Sequence, residues 1–124
     1  MIKVIISGVN GRMGKAVEAL CRADETVEVV GGIDINLGVP HEFPTADNAF
    51  ALETRADVII DFSNAKAVDD LLVYSVDKKI PVVQCTTGLS EEQMEQVKAA
   101  SGQVAVLKSA NMSLGINLLM QLLA

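Results

Sequence analysis

Three glycines near the start of the chain have a spacing that suits phosphate binding. The segment Gly8-Val9-Asn10-Gly11-Arg12-Met13-Gly14 follows an apolar run that predicts a strand and precedes a helical pattern. Glycines placed in this way permit a tight turn, let a pyrophosphate approach the backbone and allow close packing of helix on strand. The N-terminus of the helix attracts phosphates, and Arg12 and Lys15 can add positive charge. The pattern is weak by itself, and a glycine-rich turn without a ligand is its alternative.

A carboxylate follows the second predicted strand, where ribose-binding acids occur. Asp34 lies 20 residues beyond Gly14, directly after the strand predicted over Val27–Ile33. It can accept hydrogen bonds from ribose hydroxyls there, although a solvated residue at the start of a loop is the alternative. A carboxylate repels a 2′-phosphate, and residues 35–44 contain no Lys or Arg, so NAD(H) is slightly favoured over NADP(H). Arg12 could still assist the phosphate of NADP(H).

Small polar residues follow three later predicted strands, in the segments Asp61-Phe62-Ser63, Cys85-Thr86-Thr87-Gly88 and Ala110-Asn111-Met112-Ser113. Open α/β sheets bind ligands at the carboxyl ends of their strands, so these segments could contact a ribose or a carboxamide. Taken singly, each is better explained as an ordinary turn. No residues have the spacing of metal ligands, and we predict no metal site. His41, the only histidine, is predicted to be a surface residue of a loop.

Apolar runs that alternate with helical patterns predict an α/β fold with a doubly wound, mainly parallel sheet. In the first helix, Met13, Val17 and Leu20 are predicted to share the buried face. A capping box, Ser90 to Gln93, predicts the start of a later helix, and Glu91 and Glu92 are expected to stabilise its N-terminus. The predicted strands are Ile2–Ile6, Val27–Ile33, Val58–Phe62, Pro81–Cys85 and Gln103–Leu107; the helices are Gly11–Ala23, Ala65–Asp77, Ser90 to about Ala100 and Leu114–Ala124; Asn36–Asn48 is predicted to be a loop.

Composition excludes several classes of function. The 124 residues carry a net charge of −6 without a basic cluster, so we expect no nucleic-acid partner. No apolar run is long enough to span a membrane, and the N-terminus does not resemble a signal peptide. Cys21 and Cys85 are predicted to be free thiols, which favours the cytoplasm.

The apolar pattern at the end of the chain predicts a domain boundary. We expect a dinucleotide-binding domain over residues 1–113, and in residues 114–124 the start of a helix that leads to an absent substrate-binding and tetramerisation domain. That helix pattern has no glycine cap or basic last turn. Its apolar face would then favour self-association through Leu114–Ala124.

Four segments together resemble the dihydrodipicolinate reductase family: VIISGVNGRMG, VIIDFSNAKA, PVVQCTTGLSEEQ and KSANMSLGINLL, in this order over essentially the whole chain. The resemblance implies a Rossmann-type NAD(P)-binding domain. It implies that the pyrophosphate lies on Gly8, Val9, Asn10, Gly11, Arg12 and Met13, and that Asp34 holds the adenosine ribose. It also places the nicotinamide beside Cys85, Thr86 and Thr87 and beside Ala110, Asn111, Met112 and Ser113. The family usually has glycine in place of Cys85.

The resemblance also implies an activity. In the family, a reduced nicotinamide donates hydride to a cyclic, imine-containing dicarboxylate in lysine and diaminopimelate biosynthesis. The acid–base and carboxylate-binding groups belong to a second domain, with a His-His-x-x-Lys segment and a Ser-Gly-Thr loop that have no match here, so we predict no catalytic residue. The contacts of the family's homotetramer would largely be absent as well. We therefore expect the chain alone to be inactive.

Two other interpretations are open at this point. The chain could be the nucleotide domain of another dehydrogenase, of the homoserine or aspartate type, although the CTTG and ANMS segments argue against this. It could also be a stand-alone module that senses NAD or binds coenzyme A.

Overall fold

Six parallel strands form a single sheet in the part of the chain that the computed structural model describes, residues 2–52, 55–63, 65–85, 89–104 and 106–108. Three α-helices and a short 3₁₀ helix connect them. The strands are β1 (Ile2–Ser7), β2 (Val27–Ile33), β3 (Thr45–Ala46), β4 (Val58–Asp61), β5 (Val82–Gln84) and β6 (Val106–Lys108). The helices are α1 (Arg12–Ala23), α2 (Ala65–Lys78) and α3 (Glu91–Ser101), with the 3₁₀ helix over Ala49–Ala51. The predicted α/β fold with a parallel sheet is confirmed.

The strand order is β3-β2-β1-β4-β5-β6, and every pairing is parallel. Strands β2 and β3 are added on one side of β1. Strands β4, β5 and β6 are added on its other side. The order therefore reverses between β1 and β4, and the connections that follow these two strands lead in opposite directions along the sheet. Sheets of this kind bind ligands in the crevice that such a reversal creates.

Alternating residues of the central strands divide the core between the two faces of the sheet. Val4 and Ile6 of β1 pack in a cluster with Val17 and Cys21 of α1. Ile5 instead belongs to a cluster that contains residues of α2 and of the 3₁₀ helix. Helix α3 packs on α2 through a third cluster. Helix α1 thus covers one face, and α2 and α3 cover the other.

The predicted buried face of α1 was partly wrong. Met13 and Leu20 are 44% and 52% exposed, and the buried residues of the helix are Gly14, Val17 and Cys21. Gly14 faces inward because the start of the helix packs directly on the backbone of the loop before it. This orientation turns Met13 and Leu20 toward the solvent.

Several element ends differ from prediction by one residue, and two differences are larger. The predicted loop Asn36–Asn48 contains β3, which pairs with β2 through backbone hydrogen bonds from Gly32 to Pro44 (3.0 Å) and from Asp34 to Ala46 (3.0 Å). Strand β6 begins at Val106 because the amides of Gln103 and Val104 both donate to the carbonyl of Ala100 at the end of α3. The predicted helix Leu114–Ala124 and the predicted boundary after residue 113 lie outside the described residues.

None of the helices in the described residues is long and apolar enough to cross a membrane.

Candidate cofactor-binding site

A cavity of about 440 Å³ opens where the strand order reverses. Its volume lies within the range of small-molecule sites. We call it the switch-point cavity. The loop after β1, the end of β2, the segment after β3, the loop after β4 and helix α2 all contribute to its wall. The lining residues are Ser7, Gly8, Gly11, Ile33, Asp34, Ile35, Asp47, Asn48, Ala49, Phe62, Ser63, Ala67, Asp70 and Leu71.

Gly8 joins the glycine-rich segment (Gly8–Gly14) to the sheet. Its amide donates to the carbonyl of Ile33 in β2 at 2.7 Å, and its φ is +82°. A Cβ atom at this position would lie 2.7 Å from the carbonyl carbon of Phe62 and 2.8 Å from the amide nitrogen of Ser63. Both the backbone conformation and the close approach of the loop after β4 therefore require glycine.

Gly14 and Gly11 have different surroundings. A Cβ at Gly14 would overlap the carbonyl oxygen of Gly8, so the glycine allows the close packing of α1 that its position in the pattern predicts. Gly11 is exposed, and its nearest neighbour would be the same oxygen at 3.3 Å. Gly11 is the N-cap of α1, and no side chain caps this helix. The first amides of α1 are thus accessible to an anion, which fits a phosphate group.

The other predicted residues of this segment have distinct environments. The Val9 side chain is fully buried in the core, and its amide donates to the carbonyl of Ile33 at 3.3 Å. Val9 can therefore position the segment but cannot offer its side chain to a ligand. Arg12 and Met13 are exposed on the first turn of α1, next to the predicted position of the phosphates.

Asp34 connects the end of β2 to the glycine-rich segment. Its Oδ2 accepts from the amide of Asn10 at 2.9 Å, and its Oδ1 accepts from the amide of Asn36 at 2.9 Å. A carboxylate has about four acceptor positions, so two remain for ribose hydroxyls in the switch-point cavity. Asp34 both fixes the loop and presents an acceptor where the sequence predicts one.

The charges around the cavity are negative. Asp34, Asp47 and Asp70 line it, and no Lys or Arg is among the described residues that do so. Ile35, which follows Asp34, is 81% exposed at the cavity wall.

The prediction that His41 is a surface residue was wrong, because only 5% of its side chain is exposed. Its Nδ1 lies 3.0 Å from Oε1 of Glu18 and its Nε2 lies 2.5 Å from Oδ1 of Asn10, while the ring stacks on Phe43. These partners are 23 and 31 residues away in sequence. Contacts between residues so far apart in sequence leave no local sequence pattern, so sequence analysis did not predict them.

A buried polar row crosses the carboxyl ends of three strands, where Ser7, Asp61 and Gln84 are register partners. Asp61 accepts from the amide and hydroxyl of Ser63 through Oδ1, and from Nε2 of Gln84 through Oδ2 at 2.7 Å. Asp61 is fully buried, and its hydrogen bonds to Ser63 hold the start of the loop after β4. Ser7 lines the cavity with a buried hydroxyl that has no hydrogen-bond partner among the described residues. A ligand group could satisfy it.

Cys85 directly follows β5, and its amide donates to the carbonyl of Asp61 at 3.0 Å. Burial, with a smaller contribution from the charge of Asp61, raises the pKa of the Cys85 thiol to about 11. The thiol is therefore protonated at neutral pH and is a poor nucleophile. Both cysteines are free, as predicted. The other residues predicted beside the nicotinamide, Thr86, Thr87, Ala110, Asn111, Met112 and Ser113, lie outside the described residues.

Parallel strands in this order, a glycine-rich segment after β1 and a carboxylate after β2 define the class of dinucleotide-binding α/β domains. Comparison with known families makes the assignment specific. The model "Dihydrodipicolinate reductase, N-terminus" matches residues 2–112. The chain belongs to this family, which decides against a nucleotide domain of the homoserine or aspartate dehydrogenase type.

Curated relatives agree with the assignment. The 4-hydroxy-tetrahydrodipicolinate reductase of Caldanaerobacter subterraneus subsp. tengcongensis is 46% identical over 98% of this chain and 48% of its own length. That of Clostridium novyi is 43% identical over 99% of this chain and 49% of its own length. The chain thus spans about half the length of the curated relatives that it matches.

A solved structure supports the fold. The dipicolinate-bound dihydrodipicolinate reductase from Paenisporosarcina sp. TG-14 superposes with a TM-score of 0.76 over 98% of this chain and 52% of that protein, at 22% identity. At this level of identity the likeness bears on the fold alone.

Proposed function

We propose that this chain binds a nicotinamide dinucleotide in the switch-point cavity, with NAD(H) preferred over NADP(H). The observation that carries the proposal is the hydrogen-bonded arrangement of Asp34 and the glycine-rich segment beside an uncapped helix N-terminus. It presents amides for phosphates and carboxylate oxygens for ribose hydroxyls.

The residues fit such a cofactor. The first amides of α1, with Arg12 nearby, would hold the pyrophosphate beside Gly11, and Asp34 would hold the adenosine ribose. Ile35 would cover the adenine, and the buried hydroxyl of Ser7 would gain a partner. We propose that Cys85, Thr86 and Thr87 and the segment Ala110–Ser113 border the nicotinamide. The cofactor supplies hydride, and the protein supplies its position.

For the whole protein we propose the reductase activity of the family, with a cyclic dicarboxylate as the substrate, in lysine and diaminopimelate biosynthesis. The names of the relatives support this proposal. The bound dipicolinate of the Paenisporosarcina protein is a cyclic dicarboxylate. For this chain alone, we propose cofactor binding with little or no turnover, and two free thiols favour the cytoplasm as its location.

The preference for NAD(H) follows from the three carboxylates of the cavity wall. A 2′-phosphate would lie close to Asp34, and no described Lys or Arg of the lining would compensate its charge. Burying a phosphate beside a carboxylate is unfavourable because like charges repel in a partly desolvated site.

Fluorescence titration with NADH and with NADPH tests the proposal. We expect NADH to bind more tightly, and Asp34→Asn to weaken NADH by about tenfold, the effect of losing a charged hydrogen bond, with a smaller effect on NADPH. Asp70→Asn is the matched control: it removes a charge from the same cavity but no proposed ligand, so NADH affinity should hold while NADPH affinity rises. No binding of NADH at millimolar concentration would refute the proposed function, and equal losses in Asp34→Asn would refute the role of Asp34.

A further inference from the structure

His41 bridges helix α1 and the glycine-rich segment although it does not line the switch-point cavity. One ring nitrogen contacts the Glu18 carboxylate at 3.0 Å and the other contacts Oδ1 of Asn10 at 2.5 Å. The ring centroid lies 4.6 Å from that of Phe43, with the planes 22° apart. The side chain is almost completely buried, so solvent cannot replace either contact. We call Glu18, His41 and Asn10 the His41 bridge.

The orientation of the Asn10 amide is fixed by a second contact. Its Nδ2 donates to the carbonyl oxygen of Asn36 at 2.5 Å, so its Oδ1 faces His41. The opposite orientation would place two oxygens against each other at that distance. Both ring nitrogens of His41 therefore face acceptors, a carboxylate on one side and an amide oxygen on the other. Only the imidazolium form donates from both nitrogens.

We propose that His41, in its protonated form, is a positioning residue for the cofactor-binding loop, so that dinucleotide affinity falls when the ring loses a proton. A neutral ring leaves one of its nitrogens, as an acceptor, facing another acceptor. The Asn10 side chain then loses its support, and the backbone amide of the same residue is the group that donates to Asp34. The inference rests on the proposed function, because it links the bridge to the residue that is proposed to hold the ribose.

Several charges act on the bridge. Glu18 of α1 contacts the ring directly, and Arg22 of α1 lies 3.7 Å from the Glu18 carboxylate. Asp34, directly after β2, contacts the backbone amide of Asn10. Glu42, next in the chain, is exposed, so solvent screens its charge. The direct contact with Glu18 is therefore the dominant one.

The protonation state can be observed directly because His41 is the only histidine of the chain. Nitrogen-15 NMR of the imidazole, from about pH 6 to pH 9, reports whether each ring nitrogen carries a proton. We expect both to be protonated at the lower end, and the Asn10 amide resonance to shift with the same pH dependence as the ring. A ring that is neutral over the whole range, or an Asn10 amide that ignores its titration, would overturn the inference.

NADH affinity over the same range tests the consequence for binding. In the wild-type chain we expect affinity to fall about fivefold as pH rises, the effect of one net hydrogen bond. His41→Phe keeps the stacking surface but has no donor, so its affinity should be low at every pH. His41→Gln keeps a donor for Asn10 and should give an intermediate, pH-independent affinity.

The outcomes separate the two proposals. The role of His41 is refuted, and the proposed function stands, if the wild-type chain binds NADH with the same affinity at every pH of the range. The same conclusion follows if His41→Gln retains the pH dependence of the wild-type chain. If NADH does not bind at any pH, the proposed function itself is refuted, and the role of His41 in binding is refuted with it. A merely structural histidine would lower affinity when replaced but would leave the pH profile unchanged.

Discussion

Gly8 is a residue of the site that does not tolerate a side chain. A Cβ would meet backbone atoms of Phe62 and Ser63, which cannot rotate away as the end of a side chain can, and the φ of +82° adds strain of its own. We expect Gly8→Ala to lower the free energy of unfolding by about 2–4 kcal/mol, as measured by urea denaturation.

Gly102 provides the matched control for that substitution. It caps α3 with φ −76° and ψ −13°, and an added Cβ would come no closer than 3.4 Å to the carbonyl oxygen of Ala99. Gly102→Ala should therefore be neutral or slightly stabilising, because alanine restricts the unfolded chain. Equal destabilisation by the two substitutions would contradict the structural explanation given for Gly8.

Cys21 makes stability depend on pH in the alkaline range. Burial, followed by the charges of Asp24 and Glu18, raises the pKa of its thiol from 9.0 to about 11. The unfolded chain loses this proton first, so the contribution is complete below about pH 9 and is lost as pH rises toward 11. Its size is about 2 kcal/mol. Urea denaturation at several pH values should show that the difference in stability between the wild-type chain and Cys21→Ala shrinks over this range; a constant difference would contradict it.

The capping box of α3 is an element that sequence and structure describe in the same way. The Ser90 hydroxyl accepts from the Gln93 amide at 3.2 Å, and the Gln93 side chain accepts from the Ser90 amide at 3.0 Å. We expect Ser90→Ala to destabilise the chain by about 1 kcal/mol in thermal or urea denaturation. Ser101→Ala, which removes an exposed hydroxyl bonded to the Lys98 carbonyl at the other end of α3, should change stability by less than half as much.

Elements that bury a continuous apolar run could be predicted closely. The run Val27–Ile33, which is apolar except for the exposed Glu28, was predicted as a strand with the bounds that the structure has, because strands of a parallel sheet with both faces covered are largely apolar. Strand β3 escaped prediction because two residues carry no periodicity and its pairing depends on the backbone of Gly32 and Asp34. The start of β6 was missed because hydrogen bonds to Ala100, which a sequence pattern does not reveal, extend the end of α3.

The candidate site was predictable where spacing along the chain carries the information. Gly8, Gly11 and Asp34 were found from their distances to one strand, one helix and each other. His41 and Gln84 were missed because their roles depend on contacts between segments far apart in sequence. The glycine-rich segment and Asp34 therefore form a motif that spacing along the chain reveals, whereas the contacts of His41 and Gln84 depend on the tertiary structure.

Strand order makes a prediction for the molecule as a whole. Strands β1 and β4 each pair with two neighbours and carry fully buried residues such as Ile5 and Ile59, whereas the two-residue β3 lies at one edge of the sheet. Amide hydrogen exchange should be slowest in β1 and β4, where it requires global unfolding, and faster in β3, where local opening suffices. Comparable rates in β3 and β1 would contradict this view of the sheet.

Cofactor binding should slow hydrogen exchange most clearly at the amides of β1 and β4, whose exchange requires global unfolding. A ligand that binds only the folded state, at 100 times its dissociation constant, adds about 2.7 kcal/mol to the free energy of unfolding. NADH at that concentration should slow exchange throughout β1 and β4 together, because the reversal of strand order puts the cavity between the loops that follow them. NADPH at the same concentration is the matched control and should slow exchange less, because its 2′-phosphate meets the carboxylates of the cavity wall. If NADH slowed exchange only in the glycine-rich segment, binding there would not be coupled to the stability of the sheet.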